Sequence, residues 1–128
     1  MIVVADTSPL NYLVLIDEID LLFDLFENVL LPQAVFRELQ HPKTSPKVSA
    51  WVTRHPTWVQ VLTPNSAAND ALARLDLGER EAIQLALELG INTILIDEAD
   101  GRQIAETFHF KGARNAWDFG TRREMGNS

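Results

Sequence analysis

The sequence predicts an α/β fold, a three-layer α/β/α sandwich around a central, mainly parallel sheet. Two observations carry this. Short β-branched runs such as "IVVA" and "NTILID" stop abruptly at polar residues, as strands buried on both faces do. Each such run leads into a segment of helical length that opens with a cap residue or a proline, and strands alternating with helices of this length run parallel.

The elements follow in order. "IVVA" is the first strand, and Ser8 followed by Pro9 reads as a helix cap with proline in the first turn. "NYLVLIDEIDLLFDLF" is mostly helical, in one or two pieces, with Leu21, Leu22, Leu25 and Phe26 forming an apolar stripe. "NVLLPQAVFRELQ" repeats the opening grammar, with Pro32 at the helix start, and "HPKTSP" closes it as a loop. "PKVSAWVTR" is a short helix, "TWVQVL" alternates as a strand does, and "TPNSAAND" is loop-like. "LGEREAIQLALELG" is the clearest helix, ended by Gly90. "NTILID" is a buried strand and "EADGRQIAETF" a final helix.

Composition bounds the function. A chain of 128 residues, 46% apolar and 23% charged, is one ordinary globular domain with no internal repeat. No apolar run reaches the ~18 residues of a membrane span, and the N-terminal stretch lacks a basic leader. With no cysteine, disulfides and thiolate zinc sites are excluded, so the expected location is cytoplasmic. A net charge of −7 argues against simple electrostatic binding of nucleic acid. It does not argue against a metal-dependent nuclease, because divalent cations reverse the local charge of a carboxylate cluster.

Four carboxylates stand out by position. Asp6 and Asp97 lie at the carboxyl ends of predicted strands, where α/β folds bind ligands. At 100° per residue, Glu38 projects between Ala34 and Val35, and Glu79 is flanked by Ala82, Ile83 and Ala86, so both fall on apolar arcs. A carboxylate there needs a partner or a cation. Glu81 and Glu88 share the opposite face with Gln84 and read as solvated. Each acid also has an ordinary structural reading: Asp6 and Asp97 as caps, Glu38 as a residue reaching solvent, Glu79 as the partner of Asp76 in the capping box "DLGE". Four such coincidences together are far less expected than one. His41, His55 and His109 have no metal-ligand spacing and read as surface residues. Asp100 and Arg102 read as a solvated helix face, and Thr7 and Ser8 as turn and cap residues.

The segments "VVADTSPL", "LPQAVFREL", "LDLGEREAIQLALELG" and "ILIDEADGRQIA", in that order, resemble the PIN-domain ribonucleases, particularly the toxin-like group related to VapC. The resemblance covers residues 1–111 and implies a PIN-like nuclease domain there. It further implies an Mg²⁺ or Mn²⁺ site, cleavage of RNA, a homodimer and an antitoxin protein as partner. By position it carries the catalytic and metal-binding roles to Asp6, Glu38, Glu79 and Asp97. Asp6 and Asp97 are then the direct ligands, with Glu38 and Glu79 holding ordered waters or a second ion. A non-catalytic PIN-like scaffold or antitoxin-binding domain is the alternative. A phospho-receiver module is disfavoured, since "WVQVLTPN" offers no phosphoacceptor aspartate.

The tail, residues 112–128, departs from the family. Relatives continue with a Gly-Thr-Leu-Gly stretch, a last strand and a helix. "KGARNAWDFGTRREMGN", back-translated with suitable codons and read one base later, gives "KVHGTLGILGHAARWGI", the ending the family resemblance implies. The expected origin of the difference is a one-base frameshift near Gly112, a hypothesis that the nucleotide sequence decides.

Overall fold

A computed structural model describes residues 1–65 and 72–111. The expectations for the tail, for most of the "TPNSAAND" loop and for the His109 side chain lie outside the described residues. The elements run β1 (Ile2–Ala5), α1 (Thr7–Leu15), α2 (Leu21–Phe26), β2 (Asn28–Pro32), α3 (Gln33–Leu39) and α4 (Pro46–Thr53). They continue with β3 (Val59–Leu62), α5 (Leu77–Leu89), β4 (Ile94–Leu95) and α6 (Glu98–Lys111).

Among the described residues four strands pair in parallel, in the order β3-β2-β1-β4. Alternation along the strands sends side chains to opposite faces. Val3, Ala5, Val29, Leu31 and Val59 join a core with Leu10, Leu13, Phe26, Val35, Val48 and Ile104 from α1, α2, α3, α4 and α6. Val4, Leu30 and Ile94 pack on the other face against Ala82, Leu85 and Ala86 of α5. Helices thus cover both faces, and the predicted three-layer α/β architecture is present. Each fully buried leucine, isoleucine or phenylalanine in these layers contributes roughly 1.5–3 kcal/mol by leaving water.

Local details differ from expectation in four places, each for a physical reason. The cap of α1 is Asp6 rather than Ser8: its Oδ1 accepts the Thr7 N–H at 2.7 Å. Pro9 then sits in the first turn, where an amide hydrogen would have had no partner within the helix. The strand "NTILID" pairs only over Ile94 and Leu95, matched to Val4 and Ala5. The next two amides leave the ladder, because Asp100 Oδ2 takes Ile96 N–H at 2.8 Å and Asp97 N–H at 3.4 Å.

The other two concern α5. Glu81 is not merely solvated: its Oε1 accepts the Ala34 N–H at 2.9 Å, at the start of a helix that has no side-chain cap of its own. Gln84, on the same projected face, is only 7% exposed. A helical wheel ranks faces against one neighbour, whereas α5 packs on both the sheet and α3. At the far end Gly90 closes α5 as expected, at φ 66, in the left-handed conformation.

Candidate functional site

β1 lies inside the sheet, so its carboxyl end opens between its two neighbours. Asp6 stands there, held by its own N–H donating to Leu95 O at 2.8 Å and by its cap bond to Thr7. The residue is 5% exposed. Burial pushes the Asp6 carboxyl up to about 6, against the Thr7 N–H bond that favours the anion; the charges of Asp76, Glu79 and Glu38 push the same way as burial.

The start of α5 brings the next two acids. Asp76 caps the helix, its Oδ1 accepting the Glu79 N–H at 2.8 Å. Carboxylate oxygens of Asp6, Asp76 and Glu79 lie within 4.8 Å of one another. Glu79 is also held above the ordinary carboxylate range, by desolvation first and then by the charge of Asp76 and a hydrogen bond to it. Two helix N-termini, those of α1 and α5, meet at this cluster and offset part of its negative charge.

Gly78 makes the approach possible. A Cβ there would lie 2.9 Å from Asp6 Oδ1 and 3.3 Å from Val35 Cγ2. Gly78→Ala is therefore expected to push the Asp6 carboxylate out of the cluster, while the helix itself tolerates alanine well. Titration with Mn²⁺ followed by calorimetry checks this: affinity should fall by at least about tenfold, which corresponds to ~1.4 kcal/mol.

Glu38 enters from α3. The Thr7 hydroxyl donates to Glu38 Oε2, while the same hydroxyl oxygen lies 3.4 Å from Asp6 Oδ1. Thr7 thus links two of the sequence-selected acids. Glu38 is exposed, not buried in the apolar arc as its projection suggested. It lines an open cleft of about 320 Å³ with Arg37, His41, Asp76, Leu77 and Gly78, so the arc edge faces a groove rather than the core.

Asp97 is placed differently. It sits at the end of β4, half-buried, and its Oδ1 accepts the Asp100 N–H at 3.0 Å. Asp100, read from sequence as solvated, is 2% exposed and returns the bond through its own carboxylate. This reciprocal pair fastens the β4–α6 turn, and the close carboxylate group comprises Asp6, Asp76 and Glu79 without Asp97. Arg102 is exposed and pairs with Glu98 at 3.3 Å. Sequence reasoning passed over Asp76, which it took only as a cap. The available signal was its spacing: three residues before Glu79, it lies on the same side of the same helix start.

The donor set is oxygen only, from carboxylates that repel one another at close range. That chemistry fits a hard divalent cation such as Mg²⁺ or Mn²⁺, and disfavours zinc held by nitrogen or sulfur. No curated protein and no solved structure matches the chain. A PIN-domain family model matches residues 2–114, nearly the whole sequence and every element that builds the acidic cluster. PIN domains are in general nucleases, and the carboxylate group lies at the strand edge where such chemistry is expected. On that match the chain belongs to the PIN-domain family.

Proposed function

We propose that this protein is a divalent-metal-dependent endoribonuclease that cleaves RNA phosphodiester bonds, and that it is the toxin component of a toxin–antitoxin module. The observation that carries the nuclease reading is the group of Asp6, Asp76 and Glu79 at the carboxyl edge of a parallel sheet. The toxin role, an antitoxin partner, a homodimer and a cytoplasmic location rest on the resemblance to the VapC-like group. Among the described residues no helix is long and apolar enough to cross a membrane.

Each residue has a task in this reading. Asp6, Asp76 and Glu79 offer carboxylate oxygens to Mg²⁺ or Mn²⁺, and Asp97 and Glu38 remain candidate ligands. Bound there, the ion would lower the pKa of a coordinated water and offset charge on the leaving oxygen. Glu38, steadied by the Thr7 hydroxyl, is placed to accept a hydrogen bond from a water in the cleft and to orient it for attack. Burial of Asp6 keeps bulk water from competing for its oxygens.

The test is cleavage of a mixed RNA pool in Mg²⁺, in Mn²⁺ and in chelator, by wild type and by Glu79→Gln. Metal-dependent cleavage by wild type, reduced at least ~100-fold in the variant, is expected from loss of a ligand. One observation favours the scaffold alternative: the Asp97 carboxylate is engaged within its own turn. Wild type that binds neither metal nor RNA yet remains folded would establish that alternative.

A further inference from the structure

We propose that Arg37 and His41 form a phosphate-holding subsite for single-stranded RNA beside the acidic cluster. The inference rests on the ribonuclease reading and deepens it by naming where the rest of the substrate lies. The cleft has two unlike walls. Asp76, Leu77 and Gly78 at the start of α5 form one; Arg37, Glu38 and His41 form the other. Arg37 lies in the last turn of α3 and His41 just past its end, and both line the same cleft.

Arg37 is exposed, and its guanidinium has no ion-pair or hydrogen-bond partner among the described residues. What distinguishes this guanidinium is its place: it lines the cleft beside the start of α5, where Asp76 stands. Lys47 pairs with Asp17 at 2.6 Å and Arg102 with Glu98 at 3.3 Å. His41 is prepared as a donor. Its Nδ1 accepts the Lys43 N–H at 3.1 Å, which in the neutral ring leaves the proton on Nε2.

The cleft thus presents a planar fork of N–H groups and an imidazole N–H on one wall, on either side of Glu38, and faces Asp76 on the other. An isolated anion would be repelled by the acids. A phosphodiester chain satisfies both walls, since the phosphate at the acids is bridged by the cation and its neighbour reaches the guanidinium. Leu77, 49% exposed at the lip, offers an apolar surface to a sugar or a splayed base. A cleft of about 320 Å³ has room for part of one unstacked strand, not for a duplex.

Binding of a labelled single-stranded RNA, followed by anisotropy with Ca²⁺ replacing Mg²⁺, tests the subsite on the full chain. Arg37→Ala should weaken binding about tenfold and reduce the slope of log K against log[salt] by ~0.7, the value for one phosphate contact on a single strand. Arg37→Lys should restore the slope but only part of the affinity, because it keeps the charge and loses the fork. His41→Ala should weaken binding less than Arg37→Ala. Lys47→Ala should change neither quantity, and Mn²⁺ affinity should be the same in Arg37→Ala as in wild type. Arg37→Ala that binds RNA with wild-type affinity and slope would overturn the subsite alone. Wild type with no RNA affinity would overturn both it and the ribonuclease reading, whereas Arg37-dependent binding without cleavage in Mg²⁺ or Mn²⁺ would uphold the subsite and remove only the nuclease.

Discussion

Asp6→Asn is expected to melt at a higher temperature than wild type without metal, and to lose both the metal response and RNA cleavage. Asparagine keeps the shape of aspartate and its side-chain oxygen still accepts the Thr7 N–H, so the cap of α1 survives. What disappears is a buried charge crowded by Asp76, Glu79 and Glu38. The folded-state pKa of about 6 exceeds the ordinary 3.8, so the folded protein binds this proton more tightly than the unfolded chain. Stability from this group is therefore full below about pH 3.8, falls as pH rises through about 6, and is flat above. The loss amounts to roughly 3 kcal/mol, which the asparagine variant avoids. Its melting temperature at pH 7.5 should exceed that of the metal-free wild type by roughly 10 °C, and its stability should lose the share of its pH slope that Asp6 contributes while keeping that of Glu79.

Metal reverses the comparison. A cation at 100 times its dissociation constant stabilises wild type by ~2.7 kcal/mol through mass action and should leave Asp6→Asn unmoved. Calorimetric melts in chelator and in millimolar Mn²⁺ read both effects. A variant that melts below wild type in chelator would show that the Asp6 charge does not destabilise the fold, and one that still responds to Mn²⁺ would show that Asp6 is not needed to hold the metal.

The second large effect is expected from the C-terminal end. Among the described residues β4 pairs over two residues and is the last strand on its side of the sheet, and a longer strand beside it would bury backbone and apolar side chains together. Replacing residues after Lys111 with "VHGTLGILGHAARWGI" should raise the melting temperature by about 10 °C or more, because burying even two or three large apolar side chains contributes at least ~3 kcal/mol. Cleavage should increase with it. The acids lie upstream, so the metal response should be present in both forms. Equal melting temperatures would remove the frameshift account, and the nucleotide sequence around codon 112 provides an independent check.

Much of this protein was legible locally. Strand runs bounded by polar residues gave the parallel α/β order, and "DLGE" and Gly90 marked the limits of α5, because periodicity and capping are set by neighbours in the chain. Asp6 and Glu79 could be selected the same way, one at a strand end and one at a helix start. Which charges meet was not legible. Asp76 joins the cluster because Gly78 lets α5 approach Asp6; Glu81 reaches across to Ala34; Asp97 and Asp100 bind each other's backbone. Glu38 faces a groove because α3 and α5 leave one between them. Sequence period determines which side of a helix a residue occupies, but only the packing of one element on another determines what stands opposite, and carboxylate chemistry depends on the latter.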